Sequence, residues 1–200
     1  MNRLKMKDIV MVALLTALYM VFYVLSSMIT MAIGPLGHAI SPGICAVFTG
    51  TILYFMTRKV GKFGQFMIMQ AISLIIFSIM GAGYIPWIIT SMAGALIADL
   101  LASRSSRPSV AMVALASGFF HVGQAFGSII PSMFFLESYR KEWIERGQTP
   151  EYMDGMIRYT SGVMGVVSTL IVFALSVIGV VIGYFILRKH FAKKEAYAVT

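Results

Sequence analysis

The sequence predicts an all-α, polytopic membrane protein: one domain over residues 1–200, with six transmembrane helices and both termini in the cytoplasm. Hydrophobic residues make up 58% of the chain and charged residues only 12%, about half of the ~25% usual in soluble domains. Six apolar stretches follow one another, each near the ~20 residues that a membrane-spanning helix needs. These stretches lie at about 9–31, 39–57, 63–80, 84–102, 109–136 and 160–187.

The segments that flank the apolar stretches are alternately rich and poor in basic residues, and this alternation predicts the orientation in the membrane. Twelve of the sixteen Lys and Arg residues precede the first stretch or follow the second, fourth and sixth. They are Arg3, Lys5, Lys7, Arg58, Lys59, Lys62, Arg104, Arg107, Arg188, Lys189, Lys193 and Lys194. Lys and Arg mark the cytoplasmic side of a membrane, where anionic lipid also attracts them. Membrane topology therefore explains the net charge of +8, and we do not expect nucleic-acid binding.

The first stretch is predicted to be retained as a span. Residues 9–25 are interrupted only by the polar Thr16, so this segment is longer than the ~7–15-residue core of a signal peptide. We expect a bacterial inner (plasma) membrane as the location. The single cysteine, Cys45, excludes an intrachain disulfide.

Two of the outer connections contain helix breakers. Residues 34–43 include Gly34, Pro35, His38 and Pro42, and this composition fits either an irregular segment lining a cavity or a plain turn before a helix that starts at proline. The next outer turn, around Gly81, Gly83 and Pro86, places Tyr84 and Trp87 where aromatic belts form. These two side chains are interpreted as membrane anchors or as walls of a binding site.

The last two stretches and their connection predict further features. At about 28 residues each, or roughly 42 Å of helix, the two stretches exceed the ~30 Å hydrocarbon core, and Pro131 is a candidate break in the fifth. Residues 137–159 predict two short amphipathic helices, one with Tyr139 and Trp143 on one face and one starting at Thr149 and Pro150. They are interpreted as a lid or as interfacial anchors.

A polar stripe in the fifth stretch is the strongest functional signal. Ser117, His121, Gln124 and Ser128 are spaced by four, three and four residues, which places them on one helical face. Polar groups inside a membrane are costly and need a partner or a function. With Gly118, Gly123 and Gly127 leaving space beside it, the stripe indicates a ligand site; the alternative is hydrogen bonding between helices.

Other polar and small residues receive structural interpretations. Gln70 and Ser73 are predicted to make packing contacts, and Asp99 is predicted to pair with Arg104 or Arg107. Pairs of small residues spaced four apart, which allow two helices to approach closely, occur at two places. These pairs are Ala13 with Ala17 and Gly179 with Gly183.

Enzyme and metal functions are not expected. The chain has no Gly-x-x-x-x-Gly-Lys-Ser/Thr phosphate loop. Ser117 and His121 lie on one helix and lack the pattern of an intramembrane serine protease, so no catalytic residue is assigned. His38, Cys45 and His121 are too scattered for a zinc site, and no cofactor is predicted.

In size, span number and predicted termini, the chain resembles a substrate-binding S component of an energy-coupling factor (ECF) vitamin transporter. Ala13-x-x-x-Ala17 stands where that family carries its Ala-x-x-x-Ala motif. More closely, the chain resembles the Trep-Strep group. It lacks the Met-His start of nickel and cobalt S components, so a metal substrate is not expected.

The resemblance implies a vitamin-like small molecule bound on the outer side. The first, third and fifth connections would cap it, and a membrane T component with two cytoplasmic ABC-type ATPases would drive the subunit to topple. Ala13 and Ala17 would dock the T component. The residues predicted to contact substrate are His38, Tyr84, Trp87, Ser117, His121, Gln124 and Ser128, with Trp143 or Tyr159 as further walls. A self-sufficient transporter or exporter, dimerising through Gly179 and Gly183, is the alternative.

Overall fold

The computed structural model describes residues 3–105 and 108–197, with side chains described up to Lys189. Arg107 and the side chains of Lys193 and Lys194, which belong to the predicted charge pattern, lie outside the described residues. The described parts of the chain form eight α-helices and no strand, so the all-α prediction is confirmed. The helices are α1 (Met6–Ile33), α2 (Pro35–Lys59), α3 (Gln65–Ile79), α4 (Ile85–Ala102), α5 (Val110–Phe134), α6 (Leu136–Glu145), α7 (Pro150–Thr160) and α8 (Gly162–Tyr197).

Five of these helices, α1, α2, α4, α5 and α8, are long and apolar enough to cross a membrane. The third predicted span corresponds to α3, which is apolar but only 15 residues long, or about 22 Å. Because a hydrocarbon core measures ~30 Å, the span count of six depends on α3 and stays a prediction. The cytoplasmic placement of the termini also stays a prediction.

The first connection is a tight turn and not an irregular segment. Gly34 has φ +77°, in the left-handed region where glycine is favoured, and α2 begins at the next residue, Pro35. His38 and Pro42 therefore lie inside the first turns of α2. The prediction of irregular backbone is wrong, and the alternative of a helix that starts at proline is confirmed.

Close contacts between small residues hold the bundle together. A Cβ on Gly50 in α2 would lie 2.1 Å from the carbonyl carbon of Gly179 in α8, and one on Gly183 would lie 2.6 Å from the Cα of Thr51. The surface of α8 at Gly179 and Gly183 is therefore already packed against α2 of the same chain. A homodimer formed through this glycine pair, as the alternative function required, is contradicted.

The glycines of α5 also serve packing. A Cβ on Gly123 would lie 2.7 Å from the Cα of Gly94 in α4, and a Cβ on Gly118 would lie 2.5 Å from the ring of Phe173 in α8. The prediction that these glycines leave space beside the polar stripe is wrong, because neighbouring helices fill that space. Pro131 does not break α5 either, since the helix continues to Phe134.

Asp99 of α4 is buried and accepts hydrogen bonds from the backbone N–H groups of Phe66 (3.1 Å) and Met67 (2.9 Å) at the start of α3. The carboxylate thus satisfies amides that the first turn of a helix leaves without partners. Pairing with Arg104 is not seen, and Arg107 lies outside the described residues. The predicted structural role is correct, but the predicted partner is not.

The 137–159 connection forms α6 and α7, as predicted. Thr149 caps α7, since its side-chain oxygen accepts a hydrogen bond from the Tyr152 N–H (3.2 Å), and Pro150 occupies the first helical position. Arg140 of α6 and Asp154 of α7 are joined by an ion pair (2.8 Å). The two helices lie across the end of the bundle opposite the start of α1.

Candidate functional site

A cavity of about 170 Å³ lies beneath α6 and receives side chains from α1 to α6. Its walls combine aromatic, small and polar residues. The lining residues are Tyr23, His38, Ser41, Pro42, Phe77, Ala82, Tyr84, Trp87, Gln124, Ala125, Gly127, Ser128, Tyr139 and Trp143. Apolar walls with a few placed polar groups are typical of small-molecule sites.

Two groups of rings form the aromatic walls. Trp87 contacts Phe77 with the ring centroids 5.6 Å apart, and Phe77 contacts Tyr23 at 4.8 Å. On the side of α6, Tyr84 contacts both Tyr139 (5.9 Å) and Trp143 (5.7 Å). Tilted and edge-to-face pairs of this kind fix ring positions, so the walls are largely preformed.

The phenols of this wall are uncharged at neutral pH. Burial, reinforced by the nearby Glu142 carboxylate, raises the pKa of Tyr84 to about 12. Burial likewise raises the pKa of Tyr139. Neither group ionises under physiological conditions, and no Asp, Glu, Lys or Arg is among the described lining residues. The cavity therefore has no fixed charge from these side chains.

A buried hydrogen-bonded relay lies below the cavity and joins α5 to α1 and α3. His121 Nδ1 is 2.9 Å from the Ser117 carbonyl oxygen, and His121 Nε2 is 3.4 Å from the Tyr19 hydroxyl. Gln124 Nε2 donates to the Tyr19 hydroxyl (3.3 Å) and to Gln70 Oε1 (3.2 Å). We call Ser117, His121, Tyr19, Gln124 and Gln70 the relay.

The seven residues predicted to contact substrate fall into two groups. Five of them line the cavity: His38, Tyr84, Trp87, Gln124 and Ser128. Ser117 and His121 are fully buried below it and do not line it. Trp143 is also in the wall, whereas Tyr159 is not. Gln70, interpreted as a packing residue, holds the Gln124 amide.

Sequence reasoning missed the contribution of α1 to the site. Tyr23 lines the cavity, and Tyr19 belongs to the relay although it is 102 residues from His121 in the chain. Their spacing of four residues was an available signal, because it places both rings on one face of α1. Thr16 and Ser26 continue the same buried face.

The α1 surface that carries the predicted docking pair faces outward. Ala17 is exposed and Ala13 is half-buried, and Leu14 and Leu18 beside them are 66% and 46% exposed. This apolar surface is free to contact lipid or another membrane helix. The docking role itself stays a prediction.

Arg146, at the end of α6, holds the aromatic wall against the turn between α3 and α4. Its guanidinium donates to the Gly83 carbonyl oxygen (2.9 Å) and to Glu142 Oε1 (2.7 Å). It also lies over the ring of Trp143, 5.4 Å from the centroid. Arg146 thus links the end of α6 to the turn between α3 and α4, beside the cavity.

The described residues contain no group of three or more His, Cys, Asp or Glu side chains able to hold a metal ion. Cys45 is buried, and its sulfur lies 4.0 Å from the Thr49 hydroxyl. His38 and His121 are at different depths, since only His38 lines the cavity.

Comparison with known proteins gives one match. A family model described as a hypothetical bacterial integral membrane protein (Trep_Strep) matches residues 6–193, which is nearly the whole chain. No curated protein and no solved structure matches. The match covers all eight helices almost completely, including the cavity, the relay and the outward face of α1.

Proposed function

The chain belongs to the Trep_Strep family of bacterial integral membrane proteins, and we propose that it is the solute-capture subunit of an ECF-type importer. It binds a small, vitamin-like molecule in the cavity beneath α6. This cavity opens to the outer side of the bacterial membrane. Transport is energised by a T component and two cytoplasmic ABC-type ATPases. Lipid surrounds the remaining apolar surface.

The cavity is the observation that carries this proposal. Rings from α1, α3, α4 and α6 and polar atoms from α2 and α5 converge on one volume, although burying polar groups in a membrane protein is costly. Most polar side chains elsewhere in the bundle are engaged with their own helix, as Thr49 is with the Cys45 carbonyl. Gln124 instead extends into the cavity.

The placement of charge supports the orientation. Lys5, Arg58, Lys59, Lys62 and Arg104 belong to the end of the bundle opposite the cavity, where α1 begins and α2 and α4 end. By the positive-inside rule this end faces the cytoplasm, so the cavity faces out. Because the chain has no phosphate-binding loop of its own, ATP-driven import through it uses ATPases supplied by other subunits.

The proposal is tested by gentle purification of the tagged chain from its native membranes, followed by mass spectrometry of co-purifying proteins and of small molecules released on denaturation. We expect two ABC-type ATPases, one further membrane protein and one enriched small molecule. A chain recovered alone, under conditions that preserve other membrane complexes, contradicts the ECF assembly and favours a self-sufficient transporter. Absence of any enriched small molecule contradicts solute capture.

A further inference from the structure

The direction of the relay hydrogen bonds determines which atom of Gln124 faces the ligand. A carbonyl oxygen only accepts, so His121 Nδ1 carries the hydrogen that points at the Ser117 carbonyl. A fully buried imidazole whose partners, Ser117 and Tyr19, are uncharged is neutral. Its Nε2 therefore accepts a hydrogen bond, and the Tyr19 hydroxyl donates it.

This direction continues into the Gln124 amide. Because the Tyr19 hydroxyl hydrogen is used on His121, the Tyr19 oxygen accepts from Gln124 Nε2. The second hydrogen of Nε2 goes to Gln70 Oε1. Both donors of the amide are thus occupied, and only Oε1 is left to interact with a ligand.

Gln124 Oε1 is accessible from the cavity. It has no hydrogen-bond partner among the described residues. In the described part of the chain, fully buried side-chain atoms without partners occur only on Gln65, Ser91 and Trp143. Gln124 Oε1 is not among them, so this oxygen is not fully buried. Gln124 lines the cavity, so its unpartnered oxygen borders that space as a hydrogen-bond acceptor.

Ser128, one turn further along α5, is also limited to accepting. Its hydroxyl donates to the Ala125 carbonyl oxygen (3.0 Å), which uses its only hydrogen. Residues four apart on a helix lie about 5–6 Å from each other. Gln124 and Ser128 therefore present two acceptors to the same side of the cavity.

Two prolines inside helices free backbone acceptors in residues that line the cavity. Pro42 in α2 and Pro131 in α5 have no N–H, so the carbonyls four residues earlier lose their ordinary helical donors. Those carbonyls belong to His38 and Gly127, and both residues line the cavity. We call the two side-chain acceptors, Gln124 Oε1 and Ser128 Oγ, the acceptor floor.

We propose that the ligand is an uncharged nitrogen heterocycle of one or two fused rings that directs N–H donors at the acceptor floor. This rests on the proposed capture function and narrows its substrate class. A charged group is excluded because none of the described residues that line the cavity is an Asp, Glu, Lys or Arg able to compensate the loss of its hydration. The ring stacks against the walls of Trp87 and Tyr84. The volume of about 170 Å³ is close to the ~150 Å³ that accommodates benzene.

The test uses the chain's own fluorescence. Its two tryptophans, Trp87 and Trp143, both line the cavity, so quenching reports occupancy directly. The probes are uracil, adenine and benzimidazole, each compared with its N-methylated form and with a ring-carboxylated form. We expect at least one parent compound to bind about 10-fold more tightly than both of its derivatives, equal to about 1.4 kcal/mol.

Tyr19→Phe tests the relay as a positioning device, since Tyr19 does not line the cavity. Without the hydroxyl, the Gln124 amide loses one of the two hydrogen bonds that orient it, and the preference for the N–H form over the N-methyl form falls at least about 3-fold. Thr16→Val is the matched control, because it removes a buried hydroxyl from the same face of α1. This control keeps the preference of the unmodified chain.

The outcomes separate the two proposals. If the carboxylated or N-methylated forms bind as well as the parent compounds, or if none of the nine probes binds, the substrate class is wrong. Solute capture still stands in either case if an enriched small molecule is recovered from the native purification. If Tyr19→Phe and Thr16→Val shift the preference equally, the relay does not orient Gln124.

Discussion

Helices α1 and α5 have similar lengths, 28 and 25 residues, but the fold uses them in opposite ways. In an apolar segment of 18 residues within α5, 72% of the residues are buried, whereas in the corresponding segment of α1 only 28% are buried. Yet among the apolar segments of the five long helices, that of α5 is the least apolar. In water the more apolar helix would occupy the centre; here the more polar helix does.

The inner face of α1 follows the same rule. The buried positions of this helix include Asp8, Thr16, Tyr19, Ser26 and Thr30, whereas most of its exposed positions carry large apolar side chains. Lipid tails are as apolar as leucine, so burying leucine gains little in a membrane. Small residues that allow close contact, and polar groups that need partners, determine which faces meet.

The strongest test of this contrast substitutes leucine into each helix. Gly123→Leu in α5 forces a side chain into the α4 backbone, where a Cβ would lie 2.7 Å from the Gly94 Cα and the Thr90 carbonyl oxygen. We expect a loss of about 3 kcal/mol of stability, seen as a large drop in the thermal midpoint of the detergent-solubilised chain. Ala17→Leu, on the exposed face of α1, is the matched control and keeps the midpoint. Equal midpoints would show that α5 is not the packed centre.

A second test asks what the outward face of α1 contacts. Ala13→Leu combined with Ala17→Leu adds bulk where a partner helix would approach closely. We expect recovery of the partner membrane protein to fall at least about 10-fold, equal to ~1.4 kcal/mol of association free energy, while ligand quenching of the tryptophans is unchanged. Ala174→Leu, at an exposed alanine of α8, is the control for added bulk. Unchanged recovery would leave lipid as the only neighbour of this face.

The contrast between the two helices also shows what was predictable. The polar stripe of α5 and the start of α7 at Thr149 and Pro150 follow from local spacing and capping, so the sequence predicts them correctly. The partner of Asp99 was not predictable in this way. Phe66, whose backbone N–H donates to the Asp99 carboxylate, lies 33 residues away in the chain. Helix pairing had to be known first.

The depth of the site was hidden for the same reason. Ser117 and His121 share a face with Gln124 and Ser128, so spacing alone gives all four the same role. The relay separates them, because Tyr19 from α1 and Gln70 from α3 meet Gln124 at the level where the cavity begins. The glycines beside the stripe were misinterpreted because the residues that fill them, such as Phe173, come from other helices.

The smallest expected effect concerns the helix that continues α5 over the cavity, for which α1 has no counterpart. Arg146→Ala removes the hydrogen bond to the Gly83 carbonyl and the contact with the Trp143 ring. Together, exposed interactions of this kind contribute about 0.5–1 kcal/mol, so ligand dissociation should accelerate roughly 2- to 5-fold, with the thermal midpoint nearly unchanged. Stopped-flow tryptophan fluorescence measures this rate. Lys141→Ala is the control, because among the described residues Lys141 pairs only with Glu145, on its own helix. A dissociation rate equal to that of the control would mean that α6 covers the cavity as a fixed wall and that Arg146 does not hold it closed.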